Sequence, residues 1–243
     1  MSAKQNKRFN NYLSNHPSFR KGMKPDIERI GYLKYNLSKF FDLVRKDGNF
    51  LDIGPGLGEV LVIWKAMGIK NISSVDISSE VASYIRKLGF KCDFVKDTTR
   101  FLMKNQNKFD LINLCDVLEH VEQNDLFNFT TAIYLALKPK GKLIIRTSNA
   151  GSPFLSANFY CDITHTMPFS ESSLSQLFSQ SGFTQYQFFP AVRLIKWSDL
   201  KRVIGKYLIT PIYYFYVRLI RAATLNYSPK ILTEGIIAVA TKD

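Results

Sequence analysis

The chain has 243 residues, 46% hydrophobic and 22% charged, which excludes intrinsic disorder, a collagen-like repeat and a small disulfide scaffold. That length can bury one large or two small apolar cores. The 33 Lys and Arg against 20 Asp and Glu give a formal charge of +13, so nucleic acid, a lipid headgroup or a phosphorylated substrate is chemically compatible as a partner.

The basic excess is local. Residues 1–30 carry seven basic and two acidic side chains, 31–190 carry 17 and 15, and 191–230 carry eight and one. A nearly neutral core is thus expected between two basic segments, an arm at 1–29 and an insertion at 193–230. Cys92, Cys115 and Cys161 have no paired spacing, which predicts neither disulfides nor a zinc site and fits a reducing cytoplasm. The polar start MSAKQNKRFNNYLSNH has no apolar stretch of the secretory kind.

Ile30, Leu33, Leu37, Phe41 and Val44 recur at helical spacing, and Asp47-Gly48 closes that helix. From about 50 to 190, short β-rich runs alternate with helix-period stretches, which predicts an α/β fold on a parallel sheet. The first strand, Phe50 to Ile53, runs into Gly54-Pro55-Gly56-Leu57-Gly58 and a helix carrying Val60, Leu61, Ile63, Trp64 and Met67. A second strand from Asn71 ends at Asp76, and a third from Lys91 runs into Asp97. Phe109 to Cys115 is a fourth, followed by Asp116-Val117-Leu118-Glu119-His120-Val121. Pro139-Lys140-Gly141 predicts a turn into a fifth strand, Lys142 to Thr147. Ser170 predicts an N-cap and Gly182 a stop for the next helix. Strands near Phe183–Val192 and Leu232–Thr241 close the pattern.

A strand, a glycine-rich loop and an immediate helix form a geometry that lays a nucleotide-like ligand across strand ends. The glycines alone fit an ordinary tight turn equally well. Asp52, Asp76 and Asp97 add weight, because acids at the carboxyl ends of three successive strands converge on one crevice. Asp76 is placed to accept both hydroxyls of a ribose, and Asp97 to meet an adenine amino group.

Taken together these segments resemble class I S-adenosylmethionine-dependent methyltransferases. Leu51 to Glu59 is similar to the family's first motif, Val75-Asp76-Ile77-Ser78 to its ribose motif, Asp116 to Val121 to the segment after strand four, and Leu137 to Leu143 to the turn into strand five. Pro55 stands where the family more often has Cys or Ser. The resemblance covers about residues 30–190 plus the last strand. It implies a Rossmann-like seven-stranded, mostly parallel sheet with helices on both faces, whose last two strands form an antiparallel hairpin. It also implies S-adenosylmethionine as cofactor, held by Asp52, Gly54, Pro55, Gly56, Gly58, Asp76, Ile77, Asp97 and Asp116. A nicotinamide enzyme would favour G-x-G-x-x-G, and here the third glycine falls one residue early.

Methyl transfer to an alcohol needs alignment and a base. His120 and His165 are the candidates. Asp162-Ile163-Thr164-His165, followed by Pro168-Phe169-Ser170, is similar to bacterial methyltransferases of surface-polysaccharide synthesis. That likeness implies His165 as general base, with Asp162 orienting it or binding the acceptor; the plain alternative is a pair that merely orders its loop. His120 reads first as a wall of the cofactor pocket. A sharper alternative groups Asp116, Glu119, His120 and His165, which resemble the metal cluster of small-RNA 2′-O-methyltransferases; no metal is the primary expectation.

Between the last two strands lies a long insertion. Residues 197–226 predict two helices broken at Thr210-Pro211, the second, from Ile212, apolar nearly all round and flanked by basic residues. Ile212 to Leu225 spans about 21 Å, short of the roughly 30 Å hydrocarbon core. Such a helix fits a membrane interface, a cap on the domain or a dimer contact; nucleic acid is not the expected partner. The resulting expectation is an O-methyltransferase domain over 30–243 acting on a sugar or sugar-phosphate hydroxyl in bacterial surface-glycan synthesis. It would be cytoplasmic and peripheral to the inner membrane face, with a small-molecule or lipid-linked glycan acceptor. An RNA 2′-O-methyltransferase and a non-catalytic cofactor-binding module are the alternatives.

Overall fold

The computed structural model describes Phe9, Ser14 and residues 24–195, 199–224 and 229–243. In chain order it contains α1 (Ile27–Phe41), β1 (Asn49–Ile53), α2 (Glu59–Ala66), β2 (Asn71–Asp76), α3 (Ser79–Lys87), β3 (Cys92–Phe94) and α4 (Thr98–Met103). There follow β4 (Phe109–Cys115), α5 (Leu126–Ala136), β5 (Leu137–Ser148), α6 (Leu155–Phe159), α7 (Glu171–Gln180), β6 (Gln185–Ala191), α8 (Leu200–Ile204), α9 (Thr210–Thr224) and β7 (Gly235–Thr241).

The seven strands form one sheet in the order β3-β2-β1-β4-β5-β7-β6. The first five pair in parallel, while β7 runs antiparallel between β5 and β6. Both faces are covered, so the central strands alternate between two cores rather than between core and water. Leu143 and Ile145 of β5 face α5 and α7, whereas Ile144 between them joins the core under α1, α2 and α3. This is the seven-stranded, helix-flanked architecture that the motifs imply. Strand order reverses between β1 and β4, and in open α/β sheets that is where a ligand crevice opens.

Local signals land where the chemistry puts them. Ser170 caps α7 in a reciprocal pair with Ser173, and Asp26 caps α1, which starts ahead of the expected domain boundary at residue 30. Two features differ from expectation. Pro139-Lys140-Gly141 lies inside β5, where pairing slips from Phe109↔Leu137 to Leu111↔Lys142; Lys140 takes φ 64° to absorb the extra residues. The insertion is not broken at Thr210-Pro211: Leu200 to Thr224 is one continuous helix with a π turn at Gly205–Ile209. Pro211 lacks an N–H and its ring opposes the carbonyl four residues back. The widened turn removes that conflict, and the Thr210 hydroxyl donates to Gly205 O at 2.7 Å. Trp197, Asn226 and their immediate neighbours lie outside the described residues.

Candidate active site

A cavity of about 2140 Å³ opens over the carboxyl ends of β1, β2, β4 and β5. It is large enough for a nucleoside cofactor and an acceptor side by side. Asp52, Gly54, Pro55, Gly56, Asp76, Ile77 and Asp116 line its sheet side, while His120, Asp162 and His165 also face it.

The cofactor half is built by the β1–α2 turn. Gly54 has φ 68°, and a Cβ there would come within 2.6 Å of Val117 Cγ2, so only glycine brings this backbone so close to the segment after β4. Gly58 serves packing instead: it is the N-cap of α2 at φ 87°, and a Cβ would meet Ile85 Cδ1 at 3.1 Å. Asp52 is buried, accepting from Asn113 Nδ2 at 2.7 Å across the β1–β4 register. Asp76 accepts from Ser78 N–H at 2.7 Å. Burial pushes both carboxyls up to about 7, with Glu59 adding like charge at Asp52. A ligand with positive charge and O–H or N–H donors is the chemistry these groups favour, and S-adenosylmethionine offers a sulfonium, an ammonium and ribose hydroxyls. Asp97 is differently engaged. It caps α4, accepting from Arg100 N–H at 3.1 Å, and Thr98 beside it, not Asp97, lines the cavity.

Asp116 follows β4 at φ 57° and pairs with two arginines, Arg29 of α1 at 2.7 Å and Arg146 of β5. Their charges hold its carboxyl down at about 2 against the cost of burial. The Arg146 guanidinium lies 5.6 Å from the Tyr32 ring centroid and against Gly235, where a side chain would crowd it. Arg29, Tyr32 and Arg146 all line the cavity and were not signalled by the motifs; an arginine within the apolar run Leu143-Ile144-Ile145-Arg146 is the one hint the sequence carries.

The other half of the cavity gathers around two histidines whose ring centroids are 4.7 Å apart. His165 stacks on Phe159 at 5.0 Å, and its Nδ1 lies 2.6 Å from Phe159 O. A carbonyl can only accept, so Nδ1 carries a proton and donates it to Phe159 O. The Asp162 carboxylate takes both the N–H and the hydroxyl of Thr164 on Oδ1, at 2.8 and 2.7 Å, and the Asp162 backbone carbonyl accepts from the His165 N–H at 3.3 Å. Thr164 Oγ1 lies 2.9 Å from His120 Nδ1. Burial and the neighbouring His165 push His120 down to about 4, which keeps it neutral at physiological pH. Phe9 packs edge-on against His120 at 5.7 Å and lines the cavity, placing part of the basic arm over the site.

The four-residue metal grouping is not what converges. Asp116 is committed to its arginines, and buried Glu119 accepts from Thr147 Oγ1 at 2.8 Å. Among the described residues, the donor atoms that come within 4.8 Å of one another are those of His120, Asp162 and His165.

The family model described as "Methyltransferase domain" matches residues 26–187, which span the cofactor turn, His120, His165 and the chain from α1 into the start of β6. The chain belongs to this methyltransferase family. Solved structures carry the same fold at low identity. A SAM-dependent methyltransferase from Archaeoglobus fulgidus is 20% identical, with TM-score 0.65 over 88% of this chain and 94% of that one. A possible histamine N-methyltransferase from Thermotoga maritima is 19% identical, with TM-score 0.59 over 89% and 91%. A phosphoethanolamine N-methyltransferase from Haemonchus contortus, solved with phosphomonomethylethanolamine and S-adenosylhomocysteine, is 16% identical, with TM-score 0.57 over 96% and 60%. No curated protein matches significantly. As a member of this methyltransferase family the chain is an enzyme, and its cofactor is S-adenosylmethionine.

Proposed function

We propose that the methyltransferase methylates a hydroxyl of a sugar or sugar-phosphate in bacterial surface-glycan synthesis, with an acceptor presented at the inner membrane face. The observation that carries the chemistry is the His165 hydrogen bond: Nδ1 donates to the Phe159 carbonyl, which leaves Nε2 as the ring nitrogen for a proton acceptor, on a residue that lines the cavity. An alcohol needs such a base as it attacks, whereas a neutral amine does not.

In this reading the bound cofactor supplies an electrophilic methyl group on sulfur. Asp76 holds the ribose hydroxyls, Asp52 and the glycine turn hold the methionine side, and Asp116 with its arginines shapes the floor between cofactor and acceptor. The acceptor hydroxyl would give up its proton to His165 Nε2 as its oxygen took the methyl group, and the electron pair of the carbon–sulfur bond would stay with sulfur. Neutral His120 and the Thr164–Asp162 pair pack beside that ring and fix its position.

The test is release of S-adenosylhomocysteine on a panel of sugar phosphates and lipid-linked glycans, with calorimetry for cofactor affinity. His165→Ala should lose about 10²–10⁴ in kcat with unchanged cofactor affinity. Full activity in that variant removes the base, and turnover confined to amine acceptors removes the hydroxyl.

A further inference from the structure

The helical insertion is packed inside out for a surface in water. A helix on a soluble domain turns its most apolar stripe to the core. In α9 the half-buried side is Tyr213, Tyr214, Val217 and Arg221. Tyr213 stacks on Phe154 at 5.2 Å, Tyr214 lines the cavity and Arg221 donates to Gly151 O at 3.0 Å. The opposite stripe, Ile212, Phe215, Tyr216, Leu219 and Ile220, is 64, 69, 58, 58 and 42% exposed. No residue of α9 is buried. Along the same continuous helix Ile204, Leu208 and Ile209 are exposed as well. Single exposed apolar residues are ordinary; so many on one element mark an interaction surface.

Charge selects the occupant. Residues 191–230 hold eight basic side chains and one acidic one, and Arg218 and Lys230 are exposed on and beside the helix. A second copy would set this excess against itself, whereas an anionic bilayer complements it while taking up the apolar stripe. Tyr207 and Tyr216, both more than half exposed, have the amphipathic rings that settle at headgroup depth. No helix among the described residues is long and apolar enough to cross a membrane.

We propose that residues 200–224 form an interfacial helix that docks the enzyme on a bilayer rich in anionic phospholipid, its outer stripe lying at the acyl boundary. The inner side of the same helix, through Lys201, Gly205, Lys206, Pro211 and Tyr214, lines the cavity. The loop that carries Asp162 and His165 is tied to α9 by the Phe154–Tyr213 stack and leaves Tyr160 exposed and Ile163 almost fully so. One element therefore joins the membrane surface to the acceptor half of the site. Docking stands without any particular acceptor; only the delivery of a lipid-carried acceptor into the cavity rests on the glycan reading.

The experiment is flotation of the full chain with vesicles of phosphatidylcholine alone or of phosphatidylcholine with phosphatidylglycerol, alongside light-scattering mass and calorimetric affinity for S-adenosylhomocysteine. Binding should need the anionic lipid and weaken with added salt. Phe215→Ser/Leu219→Ser, on the solvent side of α9, should reduce it at least tenfold with unchanged cofactor affinity. Equal flotation of that variant, no preference for anionic vesicles, or a dimer in the parent chain that the double substitution dissolves overturns the proposal. A vesicle-bound enzyme that turns over no glycan would retire the acceptor reading and leave the docking intact.

Discussion

The two halves of the cavity are made in different ways. The cofactor half is mostly backbone and strand ends: a glycine turn that admits no Cβ at Gly54, and carboxyls at fixed register positions on β1 and β2. The half proposed for the acceptor is side chains on the 149–170 connection, the arm residue Phe9 and one face of an inserted helix. Geometry set by a sheet recurs wherever the fold does, whereas geometry set by insertions belongs to one acceptor. This is why the chain's donor follows from its family and its acceptor has to be argued from its own loops.

The strongest way to disturb the boundary between the halves is Asp116→Asn. It removes the shared counter-ion of two arginines, of which Arg146 is mostly buried and Arg29 is 41% exposed. Breaking a fully buried pair costs about 3–5 kcal/mol, and solvent at Arg29 reduces this to roughly 2 kcal/mol. Urea melts would measure it, and a change within about 0.5 kcal/mol would make the cluster electrostatically idle. The pH dependence has a definite sign. Asp116 is held down at about 2, so its contribution is complete above the ordinary carboxylate range and is lost as pH falls toward 2.

Gly54→Ala attacks the cofactor half alone. The positive φ costs about 1 kcal/mol and the overlap with Val117 adds about 1–3 kcal/mol. Val117→Ala on the same chain should return the overlap part and leave the backbone part. Cofactor affinity measured in the single and double variants separates the two; a Gly54→Ala enzyme that binds normally would mean that the turn does not need the close approach.

A smaller effect is expected from pH. Asp52 and Asp76 are raised to about 7, so their protonated forms stabilise the ligand-free fold at low pH, and that contribution fades as pH rises through about 7. Cofactor binding favours the ionised forms. Affinity should therefore rise from pH 6 to 8, by up to about tenfold per unit for each carboxyl below 7, and then level off. Calorimetry in buffers of different ionisation heat should show proton release on binding. A flat profile would place both carboxylates in the ionised state already.

The contrast between the halves also sets what the sequence could reveal. Gly54, Asp52 and Asp76 were legible because turn chemistry and strand ends are local. Asp97 was legible as a strand-end acid, yet the same local position makes it a helix cap, and the cap takes its carboxylate. The Arg29–Asp116–Arg146 assembly was not, since its members are 87 and 30 residues apart and meet only when β4 pairs with β5 and α1 packs against the sheet. The helical period of 212–221 told of a helix but not of which side lies on the body. That orientation follows from Phe154 and the Gly151 carbonyl, which no pattern within the helix encodes.

Chelation is expected to do least, and it decides how the acceptor half works. His120, Asp162 and His165 offer two imidazoles and a carboxylate, a donor set that a transition metal accepts. Their donor atoms are up to 4.8 Å apart, wider than the roughly 3.0–3.5 Å that separates ligands of one ion bound at about 2.0–2.2 Å. Closing that gap would pull His165 off the Phe159 ring and carbonyl or Asp162 off Thr164. Turnover should thus be unchanged by EDTA and by added Mg or Mn. If activity instead follows the metal, His165 Nε2 is a ligand rather than a base, and the proton of the acceptor hydroxyl must leave by another group.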